Sequence, residues 1–183
     1  GHGKVVQTIR AYSKTKCRIG LAPVGVVCSP ATDSPADVNA ARKAMFSIDN
    51  KAVRNNVTSN KDIWNNPILN KDVWNNTWWM DPIFLGKYPA DGLKFYGSDV
   101  PQIREKDMAT IHQPLDFFGV NIYRGETVRA GRDGQPEFVN DPVGHPITAY
   151  HWSVDPKSLY WGPKNFYERY KLPIIMTENG MAN

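Results

Sequence analysis

A chain of 183 residues can bury a sizeable core and suits one domain or part of a larger one. Its 41% hydrophobic content argues against general disorder, and no apolar run approaches the ~18 residues needed to span a bilayer. The net charge of +4 comes from basic residues scattered among acids rather than from a stripe or a recognisable module, so neither a nucleic-acid nor a membrane partner is expected.

The start, Gly1-His2-Gly3-Lys4, has no initiator methionine and no signal-peptide core, and reads as the interior of a longer gene. Val5, Ile9 and Tyr12 are spaced for one helical face, which predicts an opening helix. Residues 18–22 and 24–27 read as strand, or strand running into loop. Cys17 and Cys28 flank this region and fit no zinc spacing. They read as buried free thiols, which favours a cytoplasmic location. The four histidines have no metal-ligand spacing either and read as surface or packing residues.

Ser34-Pro35-Ala36-Asp37 predicts a helix start, with a capping serine, proline at the first helical position and an acid three residues after the cap. Val38, Ala41, Met45 and Ile48 continue an apolar stripe. Residues 50–79 then hold three tandem decamers, NKAVRNNVTS, NKDIWNNPIL and NKDVWNNTWW. Three polar copies are too few for a solenoid. Residues 50–69 read as a duplicated insertion that lengthens a helix end or loop. An aromatic ligand platform built from Trp64 and Trp74 is the other reading. Glycosylation sequons start at Asn56 and Asn75 and matter only in a secreted eukaryotic protein.

Residues 98–111 read as a helix with Val100, Ile103, Met108 and Ile111 apolar. Residues 116–123 read as a buried strand. Residues 127–130 and 137–140 flank Gly131-Arg132-Asp133-Gly134, a plausible hairpin. A loop rich in proline and tryptophan leads to a helix marked by Leu159, Phe166 and Tyr170. Residues 172–178 then form a second apolar run, read as a buried strand. Strands alternating with helices imply parallel βα units, and three such strands are only part of a sheet or barrel.

Three polar side chains converge on the strand ends. Glu178 closes the last strand, where parallel α/β folds build active sites. Asn121 and Tyr123 close the preceding one, and alternation puts both on one face. Adjacent strands would bring a carboxylate, an amide and a phenol to one pocket. A phenol that donates to a carboxylate favours the ionised form, which a covalent nucleophile at an acetal carbon requires. A helix cap or surface ion pair remains open for the acid. So do a turn role for Asn121 and a core role for Tyr123.

The wording L-P-I-I-M-T-E-N-G at 172–180 resembles the nucleophile motif of glycoside hydrolase family 1, the β-glucosidase family. D-F-F-G-V-N-I-Y at 116–123 is similar to that family's D-F-x-G-x-N-Y-Y strand, departing at Ile122 and then at Arg124-Gly125, where small hydroxylated residues are common. W-W-M-D-P-I at 78–83, followed by G-K-Y-P, resembles a further family segment. So do Pro30-Ala31-Thr32 with Asp37-Val38 before it, and His2-Gly3-Lys4-Val5-Val6 at the start. The resemblance covers the chain apart from residues 50–69.

The resemblance implies an α/β fold, part of a (β/α)8 TIM barrel, with residues 1–183 contributing roughly strands five to seven of one catalytic domain. It implies an O-glycosyl hydrolase that retains configuration at terminal β-glycosidic bonds and acts on a β-glucoside or oligosaccharide without a cofactor. Glu178 would be the nucleophile, Tyr123 its hydrogen-bonding partner and Asn121 a substrate-binding amide. Trp78, Trp79 and Trp152 are candidate stackers for the leaving group, with helix packing as the other reading of Trp78 and Trp79. The family's acid/base glutamate lies in an N-E-P motif that this sequence lacks. The remainder of the barrel is therefore an expected partner, and the chain alone is expected to be inactive. A non-catalytic carbohydrate-binding relative, a 6-phospho-β-glucosidase and a non-enzymatic interaction fragment are the alternatives.

Overall fold

Strand β3 (Phe117–Asn121) organises the fold because its two faces carry different chemistry. Phe118, Val120 and Ile122 are fully buried toward the helices, while Gly119, Asn121 and Tyr123 alternate to the other side. The structure is a computed structural model that describes residues 1–48 and 75–182. The expected insertion at 50–69, like Trp64, Trp74 and the sequon at Asn56, falls on residues 49–74, outside the described residues.

In chain order the elements are α1 (His2–Tyr12), β1 (Gly20–Leu21), β2 (Cys28–Pro30), α2 (Pro35–Phe46), α3 (Asn76–Phe84), α4 (Ala90–Tyr96), a 3-10 turn (Gly97–Asp99), α5 (Asp107–Ile111), β3, β4 (Glu126–Ala130), β5 (Pro136–Phe138), α6 (Ser158–Tyr170) and β6 (Ile174–Glu178). One sheet has the order β1-β3-β6, parallel throughout. The second has the order β2-β4-β5, with β2 parallel to β4 and β4 antiparallel to β5. The hairpin expected around Gly131–Gly134 is therefore present, and β2 extends it into a sheet.

The core lies between β3 and helices α2, α3 and α6. Phe118 stacks on Phe166 and Tyr170 at 5.1 and 5.3 Å between ring centres, and Phe84 tilts against Phe118 at 4.6 Å. Burying each such ring contributes about 1.5–3 kcal/mol. Helix α6 approaches the sheet closely at Gly162, where a Cβ would lie 2.8 Å from the Ile122 side chain and 2.9 Å from Val27.

Buried polar groups tie the elements together. The Ser34 hydroxyl caps α2 by accepting from the Asp37 amide at 3.2 Å, as the sequence predicts. Asn76 is buried, accepts from the Val26 amide at 2.9 Å, and donates to the Val26 and Met45 carbonyls at 2.8 and 2.9 Å. The Asp81 carboxylate is buried and accepts from Arg169 at 3.0 and 2.5 Å and from the Tyr170 hydroxyl at 2.9 Å. The D-P pair of the 78–83 segment thus anchors α3 to α6.

Several sequence expectations need correction. Helix α1 exists, but Val5, Ile9 and Tyr12 are exposed; Gly3 and Val6 are the buried residues. Gly3 meets α5 so closely that a Cβ would overlap the Thr110 carbonyl, so close approach decided the packed face over the apolar stripe. The helix expected over 98–111 is broken, because Val100 before Pro101 is extended (φ −64°, ψ 125°), and only Asp107–Ile111 is α-helical. Cys28 is buried but Cys17 only partly so, because the chain there is still outside the sheet. Among the described residues β6 pairs with β3 alone, and Ile175 and Met176 of β6 are 42% and 38% exposed.

Candidate active site

Asn121 of β3 stands in register with Glu178 of β6 only because the ladder shifts by one residue. Val120 pairs with Met176, and the next pair is Asn121 with Glu178, which leaves Thr177 as the extra residue of a bulge. Without that shift Glu178 would fall opposite Ile122 and share its helix-facing side. With it, Thr177 and Glu178 both reach the side that carries Asn121 and Tyr123. Gly119 accommodates this crowding: a Cβ there would sit 2.8 Å from the Leu21 carbonyl and 3.1 Å from the Thr177 methyl.

Four contacts then lock the two strand ends together. The Tyr123 phenol donates to Glu178 Oε2. The Thr177 hydroxyl donates to Asn121 Oδ1 at 2.6 Å. The Ile122 amide donates to the Glu178 carbonyl at 2.9 Å, and Asn179 Nδ2 donates to the Ile122 carbonyl at 2.8 Å. The carboxylate beside Tyr123 pushes the phenol pKa up, chiefly through this hydrogen bond, so the phenol keeps its proton and remains a donor. The preceding end of β3 is also pinned. Asp116 accepts from the Ile19 amide and from Arg10, both at 2.7 Å.

The structure brings Glu178, Tyr123 and Asn121 together, though Asn121 reaches Thr177 rather than the acid. Trp152, in the loop before α6, lies with its ring 6.0 Å from that of Tyr123. Trp78 sits in a separate cluster, tilted against Tyr88 and Tyr96 at 4.7 and 4.5 Å, and Trp79 is exposed. Sequence reasoning assigned nothing to Thr177 and Asn179. Both lie inside the M-T-E-N-G wording, and a polar residue on each side of a strand-end acid was the available signal. Among the described residues no group of three or more His, Cys, Asp or Glu side chains could hold a metal ion. No described helix is long and apolar enough to cross a membrane.

The family model of glycosyl hydrolase family 1 matches residues 58–183, a span that includes β3, β6 and every side chain of this cluster. The chain belongs to glycosyl hydrolase family 1. Among curated relatives in that family, β-glucosidase A of Thermotoga maritima is 34% identical over 104 residues, which is 56% of this chain and 23% of the relative. The β-glucosidase of an Agrobacterium species is 30% identical over 171 residues, covering 86% of this chain and 31% of the relative. Among solved structures, the Thermotoga maritima β-glucosidase in complex with glucoimidazole superposes with a TM-score of 0.63 at 26% identity, covering 98% of this chain and 34% of that one. The family 1 β-glucosidase of Exiguobacterium antarcticum gives 0.62 at 26% identity, with 98% and 35% covered. The chain thus spans about a third or less of the relatives it matches. Its fold is part of the family's (β/α)8 TIM barrel, and the described residues form no closed barrel.

Proposed function

We propose that the whole protein to which these residues contribute is a retaining β-glycosidase of the β-glucosidase type, acting on terminal β-glycosidic bonds. The observation that carries this reading is the Glu178 carboxylate at the end of β6, bridged by the Tyr123 phenol. In it Glu178 attacks the anomeric carbon and forms a covalent glycosyl-enzyme. A second carboxyl about 5–5.5 Å away protonates the leaving oxygen and later activates water. That second carboxyl is supplied from outside the 183 residues, since the sequence holds no N-E-P.

Tyr123 and the β3–β6 ties keep the carboxylate at one fixed point, which serves an attack that needs near-contact geometry. Asn121 has Oδ1 committed to Thr177, which turns its amide nitrogen toward the role of donor to a sugar hydroxyl. The curated relatives, β-glucosidases, support a plain β-glucoside over a phosphorylated one. In the same reading residues 1–183 form part of a single catalytic domain with 50–69 as an insertion.

The test is hydrolysis of para-nitrophenyl β-glucoside by the full-length protein, followed by proton NMR of the first-formed sugar. The β-anomer is expected first. An α-anomer would rule out a covalent nucleophile, and no turnover would overturn the reading.

A further inference from the structure

Arg124 follows Tyr123 directly, and its side chain packs over Trp152. Its guanidinium carbon lies 5.7 Å from the centre of the Trp152 ring, and Nη1 donates to Glu126 Oε1 at 2.8 Å. Trp152 is hemmed in by the rings of Tyr123 at 6.0 Å and Tyr150 at 5.5 Å. A continuous row therefore runs outward from the carboxylate through Tyr123, Trp152 and Arg124 to Glu126. The side chains of the ion pair are about half exposed, at 48% and 45%.

We infer that the Arg124–Glu126 pair, supported by Trp152, reads the leaving group and is built for a sugar rather than an apolar aglycone. This rests on the proposed role of Glu178. A guanidinium holds five N–H donors in a fixed plane, and one of Arg124's goes to Glu126. The paired carboxylate keeps a second oxygen as acceptor. Neighbouring sugar hydroxyls each donate and accept, so they need both kinds of partner side by side. An opposite-charge pair supplies them with little net charge, which leaves no strong pull on an anionic leaving group. An apolar aglycone would instead favour a bare indole face, and here the guanidinium covers one face of Trp152 while Tyr123 and Tyr150 crowd the ring. Stacking also orders the long arginine side chain before substrate arrives. Burial raises the Glu126 pKa, and the Arg124 charge opposes that shift.

The experiment measures kcat/KM of the full-length protein for a β-linked glucose disaccharide and for para-nitrophenyl β-glucoside, in the native protein, Arg124→Ala and Arg124→Lys. Arg124→Ala should shift the disaccharide-to-aryl ratio at least about tenfold toward the aryl glycoside, mainly through a higher KM for the disaccharide. Arg124→Lys, which keeps the charge but loses the planar fork, should shift it the same way by less. A ratio unmoved in both variants, or native protein that cleaves only the aryl glycoside, overturns the sugar-reading subsite and leaves the Glu178 reading intact. If the alanine variant fails to fold, the lysine variant alone decides. Native protein that cleaves neither glycoside overturns both.

Discussion

The phenol of Tyr123 bonds Glu178 Oε2 across a sequence separation of 55 residues, and a one-residue bulge makes the meeting possible. Strand alternation alone would send Glu178 to the helix side. The extra residue, Thr177, turns the acid back and then fixes Asn121 through its own hydroxyl. The bulge is thus a device for aiming a carboxylate.

Replacing Glu178 with glutamine in the full-length protein should abolish turnover of a chromogenic β-glucoside. The neutral amide keeps the shape but cannot form the glycosyl-enzyme. Added azide or formate should partly restore turnover by standing in for the missing nucleophile. Unchanged turnover in the variant would remove Glu178 from the reaction.

Tyr123→Phe should be milder. It deletes one donor to Glu178 and leaves the backbone and Asn179 ties between β3 and β6 in place. A fall in kcat of roughly tenfold, with the thermal midpoint nearly unchanged, is expected. A loss as deep as that of Glu178→Gln would mean that Tyr123 does more than hold the acid.

Asp81→Ala tests stability away from the site. It would strand the partly buried Arg169 and the Tyr170 hydroxyl, both of which donate to Asp81. Removing one partner of a buried ion pair costs about 3–5 kcal/mol. Denaturant unfolding of the full-length variant should show that loss. A change within about 0.5 kcal/mol, the range of ordinary surface substitutions, would overturn the anchoring role.

Asp116 gives a pH signature. The Ile19 amide, then Arg10, hold its carboxyl below the usual carboxylate range. A depressed folded-state pKa adds stability that is fully present above the ordinary value, about pH 4, and fades as pH falls through the folded value. The thermal midpoint of Asp116→Asn should therefore trail the native protein most at neutral pH, with the gap closing below about pH 4. A gap that widens in acid would contradict this.

Much of the candidate site was legible because its residues cluster in two short stretches, 116–123 and 172–180. Strand-end position alone left structural roles open for Glu178, Asn121 and Tyr123, and the motif wording around them is what singled them out. Trp78 did not resolve in the same way. A tryptophan beside a polar segment suits a sugar platform or a helix contact equally well, and its neighbours Tyr88 and Tyr96 are brought to it only by the packing of α3 and α4.

The sequence by itself determined the parallel α/β class, the cap at Ser34 and the acid at the end of β6, because periodicity, capping chemistry and motif wording are local properties. Tertiary structure alone decided two things. Close approach at Gly3 chose which face of α1 is packed. The β3–β6 register, with its bulge at Thr177, put Glu178 beside Tyr123. Each of these depends on what a distant segment brings alongside, and no window of neighbouring residues contains it.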